Sequence, residues 1–439
     1  MVTITRRIER RTASGILVAA GLMAASLTSQ AFELDAEIRA GYGFTDNVTR
    51  SPDVTIEERL QTAGLTLELE QHSRKLDLIL NSSFEFLHFE YDTFDDDLVG
   101  GLVANATYWF IEDRFNWVLQ ENFGQQLFDP FAAETVDNRE NLNYITTGPG
   151  VILPLGVRNF FGVDLRYSAV DYEIQDLDNR RTGGRIYYGR YLSESSQLTV
   201  NYRNQQVEYD PGSAGTDFDV NEFFFRYELD DTRNRIAVDV GYSMAEIPGD
   251  EGDGSLLSFV WERRMSSRST LEVSAGSRYS DQGDLFRFIQ DGTDDIDLTL
   301  DVNSFDVPFR NNTASVGYQL NADRTRFRIG MNWIEEDSEF GSSVDRDEII
   351  TAFDVSREFT RRVSISLGAT FSDRDYKYVD RKDEDIDVGV VLSVQLSPSW
   401  RTELDLQYSD RQSNVPDSDY TENRAYLILA YAPFSRTNR

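Results

Sequence analysis

Strict alternation of apolar and polar residues recurs along nearly the whole chain in runs of about ten, each closed by a turn. From Leu271 to Tyr279 the odd positions read Leu271, Val273, Ala275, Ser277 and Tyr279, with Glu272, Ser274, Gly276 and Arg278 between them. From Val363 to Phe371 the odd series is Val363, Ile365, Leu367, Ala369 and Phe371, against Ser364, Ser366, Gly368 and Thr370. A period of two places one series on each face of a β-strand. Strands of this length, repeated with one apolar face, are what a bilayer-spanning barrel needs. The pattern predicts an all-β chain, a transmembrane antiparallel β-barrel.

The first 31 residues read as a cleaved export signal. Arg6, Arg7, Arg10 and Arg11 form its positive end, Gly15 to Ala25 an apolar run, and Ser29-Gln30-Ala31 a small-x-small cleavage site. That run is short of the roughly 20 apolar residues of a membrane helix. Residues 32–434 then form one barrel, with 435–439 as a short C-terminal extension. Without the signal the chain carries 39 basic and 75 acidic residues, a net charge of −36. Such a charge repels phosphates and argues against nucleic acid. Cysteine is absent, which excludes disulfides, thiol chemistry and a lipid-anchored cysteine.

Short and long connections alternate. Short ones fall at Gln71–Arg74, Ile111–Arg114, Pro154–Arg158, Ser193–Ser196, Asp230–Asn234, Met265–Ser269, Asn321–Thr325, Phe359–Arg362 and Ser397–Trp400. Longer polar segments include Thr45–Glu57, Gln125–Glu140, Asp281–Pro308, Glu335–Asp345, Asp373–Asp383 and Asp410–Thr421. Barrels of this type have short periplasmic turns and long external loops. Both termini therefore belong in the periplasm, the count is even, and the spacing predicts about 20 strands, in a range of 18–22. Alternation of Ile296, Leu298, Leu300 and Val302 allows one more hairpin, spanning or external.

Aromatic-Ser pairs mark strand exits into long loops, at Tyr167-Ser168, Tyr242-Ser243, Tyr279-Ser280, Phe371-Ser372 and Tyr408-Ser409. Rings at that depth suit the headgroup zone, and Trp109, Trp117, Trp261 and Trp400 near short turns suit the opposite girdle. The apolar series must face lipid, because the other series carries charge at mid-strand. By parity Asp164, Arg166, Glu222, Arg226, Asp239, Glu272, Arg328 and Asp405 point inward and are candidates to line a pore. A barrel this wide leaves an interior that side chains alone do not fill.

No catalytic residues emerge. His72 is in a short turn and His88 shares parity with Phe84 and Phe86, so no His stands beside a nucleophile as a hydrolase requires. The clusters Asp95-Asp96-Asp97, Asp250-Glu251-Gly252-Asp253, Asp294-Asp295-Ile296-Asp297 and Asp383-Glu384-Asp385-Ile386-Asp387 lack the calcium-loop pattern and read as solvated external carboxylates. No metal or cofactor is expected. Within Asp281–Pro308, the longest connection, Asp291, Asp294, Asp295 and Asp297 are candidates for a constriction that favours cations.

Two segments carry a resemblance. Gly41-Tyr42-Gly43-Phe44-Thr45-Asp46-Asn47-Val48 opens the mature chain. Gln125-Gln126-Leu127-Phe128-Asp129-Pro130-Phe131 is followed by Asp137-Asn138-Arg139-Glu140-Asn141 and Thr147-Gly148-Pro149-Gly150. Together they resemble the family called "putative β-barrel porin 2", in its branch found with exosortase/PEP-CTERM exopolysaccharide systems. The resemblance implies a Gram-negative outer-membrane porin or channel associated with exopolysaccharide production or export, and it brings no catalytic residues. Its partners would be the bilayer with its lipopolysaccharide, the barrel-assembly machinery acting on the C-terminal strand, and exopolysaccharide export components. One departure is that Ala425–Phe434, read as the last strand, is followed by Ser435-Arg436-Thr437-Asn438-Arg439 rather than ending on its aromatic residue. The competing readings are a non-conducting surface barrel whose acidic loops hold polysaccharide or cations, and an outer-membrane hydrolase. A TonB-dependent receptor is disfavoured, since no plug precedes the first strand, which begins by Leu34.

Overall fold

The computed structural model describes residues 32–292, 307–338, 340 and 345–433. Its first ten strands are β1 (Glu33–Thr45), β2 (Glu58–His72), β3 (Leu76–Phe89), β4 (Asp97–Ile111), β5 (Phe115–Leu127), β6 (Arg139–Pro154), β7 (Asn159–Tyr172), β8 (Asn179–Tyr191), β9 (Ser196–Tyr209) and β10 (Phe218–Asp230). Then come β11 (Asn234–Ile247), β12 (Asp250–Ser266), β13 (Ser269–Ser280), helix α1 (Gln282–Gly292), β14 (Phe309–Ala322), β15 (Thr325–Asp337), β16 (Arg346–Thr360), β17 (Val363–Tyr376), β18 (Arg381–Gln395), β19 (Trp400–Ser413) and β20 (Tyr420–Tyr431). Each strand pairs antiparallel with its chain neighbours, and β20 returns to β1 through Ile38–Tyr431 to Thr45–Arg424. The result is a closed 20-stranded barrel. No described helix is long and apolar enough to cross a membrane. Followed once around, the register returns displaced by about 26 residues, which tilts the strands by about 43° and sets a wall radius of about 20 Å.

All nine short turns separate strands where the sequence placed them. The strands, at 12 to 17 residues, are longer than the roughly 9–11 that a bilayer requires. Several external segments read as loop are therefore paired strand standing above the membrane. Asp373–Asp383 is one: β17 runs to Tyr376 and β18 begins at Arg381. The last strand spans Tyr420–Tyr431 rather than Ala425–Phe434, and Phe434 lies outside the described residues.

Faces follow parity. Ile38, Leu165, Phe225, Val240, Leu406 and Leu427 stand exposed on the outer surface, as lipid contact requires. Tyr167, Tyr242, Phe371 and Tyr408 are exposed in the same series, while the serines after them, Ser168, Ser243, Ser372 and Ser409, are buried on the other. Tyr279 departs from this pattern. It is buried under the Arg310 guanidinium, 5.6 Å from its ring centre, because the chain turns inward just beyond it. Trp117 and Trp400 are exposed on the outer series, and parity puts Trp261 there too. Trp109 faces the lumen: it pairs with Asn116, whose series is lumenal, so it is not part of the girdle.

Two junctions stop pairing well short of the external rim. The β4–β5 register stops at Leu102–Phe123, leaving Asp97 to Gly101 paired only with β3. The β12–β13 register stops at Leu257–Ser277, so the external end of β12 pairs only with β11. At the first of these sits Gly100 with φ 139°, where a Cβ would lie 2.1 Å from the Ser83 carbonyl oxygen, so only glycine fits.

Candidate functional site

Two segments leave the wall and enter the barrel at its external end. The first is α1. Its N-cap is Asp281, whose Oδ1 accepts from the Asp284 amide at 3.2 Å while its carbonyl accepts from the Leu285 amide at 2.9 Å. Arg181 of β8 donates to both oxygens of the same carboxylate, at 2.8 and 2.6 Å, with both side chains almost fully buried. The pair is bidentate, the strongest geometry open to these groups. Behind it, Phe286 packs into an apolar patch of Leu142, Tyr144, Val170, Tyr172 and Leu177 on the lumenal face of β6, β7 and the loop that follows. Asn122 of β5 donates to the Arg287 carbonyl at 3.3 Å. The helix that follows β13 is thus held on the wall made by β5 to β8.

Asp284 completes the clamp. It accepts from Tyr144 at 3.0 Å and Gln205 at 3.1 Å, and pairs with Arg181 at 3.3 Å and Arg287 at 3.6 Å. Burial pushes its carboxyl up, but the two guanidinium groups and the two donors outweigh burial and hold it down at about 2. A depressed carboxyl stabilises the folded state above the ordinary carboxylate pKa, and that contribution is lost as pH falls through the folded value. The α1 clamp is therefore expected to be at full strength above about pH 4 and to fail only towards pH 2. The carboxyl carbon resonance of Asp284, titrated by NMR in labelled protein, checks this: a midpoint near the ordinary value of about 3.9 would contradict it.

The second segment is residues 128–138, between β5 and β6. Asn138 braces it, donating to the Asp129 carbonyl at 2.8 Å and the Ala133 carbonyl at 3.1 Å, while its Oδ1 accepts from the Asp129 amide at 3.1 Å. The segment then reaches β17 and β18, where the Phe131 carbonyl accepts from Arg381 at 2.7 Å and the Phe131 ring meets Tyr376 at 5.1 Å. Glu134 meets Arg50, in the β1–β2 connection, at 3.3 Å. In the sequence, Gln125 to Phe131 carries only the family resemblance. Its physical signal was two phenylalanines around Asp129-Pro130 in an otherwise polar loop. The other quoted motif is structural too, since Asp46 accepts from the amide and side chain of Asn423 and so ties β1 to β20.

Between these segments the external lumen is packed with charge. One chain of alternating sign runs across five strands, from Glu336 to Arg346, Glu348, Arg374, Asp385 and Arg411, with contacts of 2.5 to 3.8 Å. Asp383 and Asp385, read as solvated external carboxylates, are buried partners of Arg381 and Arg411, because β18 extends further outward than its sequence implied. Among the described residues no group of acidic or histidine side chains could hold a metal ion.

The eight residues singled out by parity all fall on the lumenal series. The structure pairs Arg226 with Asp239 at 2.6 Å, Asp164 with Arg185 at 2.7 Å, and Glu222 with Arg203. Arg166 lies 3.9 Å from Asp164, and Arg328 sits opposite Asp354 in the register. Glu272 and Asp405 are elsewhere on the wall and join none of these pairs. Asp291 falls in the last turn of α1, whereas Asp294, Asp295 and Asp297 lie outside the described residues. His72 and His88 bond Asp77 and Asp96 at 2.6 and 2.7 Å, both in exposed positions.

A comparison with known families agrees with this architecture. Residues 314–432 match the model of the family described as "Putative beta-barrel porin 2". The match begins in β14, runs through β15 to β20 and takes in the charge chain, whereas the motifs quoted from the sequence lie outside it. No curated protein matches the chain. Solved structures of similar outline include the ferric enterobactin receptor PfeA of Pseudomonas aeruginosa, at 7% identity over 91% of this chain and 80% of that one, with a TM-score of 0.47. The FrpB iron transporter of Neisseria meningitidis gives 10% identity, 91% and 81% coverage and 0.47. The siderophore receptor PirA of Acinetobacter baumannii gives 8%, 92%, 81% and 0.43. Likeness at this level carries no reading of cargo. The chain is a β-barrel of the outer-membrane kind.

Proposed function

We propose that this barrel is an outer-membrane channel for small polar solutes, narrowed at its external end by α1 and residues 128–138. The observation that carries the reading is the contrast along the lumen. The external end is crossed by two tied segments, whereas inward-facing Glu68, Asp77, Ile79, Asn81 and Ser83, towards the periplasmic end of β2 and β3, stay exposed. A wall radius of about 20 Å leaves water there, and a crossed mouth sets what enters it. An association with exopolysaccharide production or export remains part of the proposal, supported by the sequence motifs alone.

Purified protein in planar bilayers is expected to give discrete conductance steps smaller than an uncrossed barrel of this width would give. A second reading, a non-conducting surface barrel, is favoured by the same crossing segments if they close the lumen altogether. Silent bilayers, from protein that still shows heat-modifiable gel mobility, would establish that reading instead.

A further inference from the structure

A cleft opens between α1 and the lumenal wall of β9, β10 and β13, lined by Arg203, Gln205, Glu222, Arg278, Asp284 and Arg287 over an apolar floor of Phe218 and Val220. Three guanidinium groups and two carboxylates share it, and their exposures are unequal. Arg203 is 36% exposed and Arg287 21%, whereas Glu222 is 1% and Asp284 14%. Both carboxylates are engaged: Glu222 is ion-paired with Arg203, and Asp284 receives Tyr144, Gln205, Arg181 and Arg287. What the cleft presents to solvent is therefore cationic and rich in donors. Each guanidinium carries five N–H groups in a planar fork that matches carboxylate or phosphate oxygens, more than one carboxylate partner can absorb. In a chain of net charge −33, a donor-rich pocket inside the lumen runs against the general trend.

We propose that this cleft is a binding site for an anionic solute, recognised through carboxylate or phosphate oxygens held by Arg203, Arg278 and Arg287. The inference deepens the channel reading by naming a substrate class, and it is tested by binding rather than by current so that the two can fail separately. Full-length mature protein in detergent would be titrated calorimetrically with glucuronate, with inorganic phosphate and with glucose. Glucuronate or phosphate should bind and glucose should not, and binding should weaken as salt is raised. The stronger of the two anions identifies an acidic sugar or a free oxyanion as the source. Arg203→Gln with Arg278→Gln should weaken binding by about tenfold or more, with heat-modifiable mobility retained, while Arg268→Gln on a periplasmic turn should leave it unchanged. If the double glutamine variant does not fold, Arg278→Lys keeps the charge but loses the fork and should weaken binding severalfold. Equal binding of glucose and glucuronate, or full affinity in folded variants, would overturn the site. Silent bilayers with anion binding intact would instead count against the channel alone.

Discussion

Replacing Arg181 with Met is expected to detach α1 from the β8 wall, enlarge the conductance and destabilise the barrel by about 3–5 kcal/mol. The size follows from what remains behind. Arg181 is buried between two carboxylates, Asp281 and Asp284, and its guanidinium lies 5.1 Å from the Tyr144 ring centre. Removing it leaves Asp281 buried at the N-cap without a cationic partner, and a buried charge that has lost its ion pair costs far more than the pair contributes. Asp281→Asn in the same chain should recover part of the loss by removing that charge. Arg181→Lys should fall between, since an ammonium cannot bridge both oxygens in the planar fork. The readouts are the temperature at which heat-modifiable mobility is lost and the single-channel conductance. Wild-type conductance in Arg181→Met would mean that α1 does not limit the passage.

Arg at Leu367 should impair folding into lipid by about 2–4 kcal/mol, whereas Arg at the adjacent Gly368 should be mild. Leu367 is in the outward series of β17, where a guanidinium would meet hydrocarbon near mid-strand. Gly368 faces the lumen, and a Cβ built there would lie 3.2 Å from Asp354 Oδ1, an acceptor for the new side chain. Urea-dependent folding into vesicles measures both. Equal damage at the two positions would mean that the faces of β17 are the wrong way round.

The wall was legible because its information is local. Alternation sets the face of each residue, as at Val363 to Phe371, and turn length sets the side of the membrane. The interior was legible only in part. The length of Asp281–Pro308 points to a loop able to enter and narrow the barrel, yet its acidic composition gives no sign that it opens as a helix. The partners of that helix lie far away in sequence, with Arg181 and Asp281 separated by 100 positions. Residues 128–138 were missed for the same reason: Phe131 meets Tyr376 and Arg381 across the barrel, and no periodicity encodes such a contact. Strand ends were misplaced where pairing continues above the bilayer, since polar residues on both faces there look like loop.

The two interrupted ladders divide the external half of the cylinder into leaves, one of β5 to β12 and the other of β13 to β20 with β1 to β4. Residues 128–138 spring from the first leaf and fasten to the second at Tyr376, Arg381 and Arg50. Helix α1 springs from the second and fastens to the first at Arg181, Tyr144 and Asn122. Each leaf thus buckles the other, like two straps sewn from opposite sides of one collar. Cutting either strap is therefore expected to loosen the rim along both slits at once.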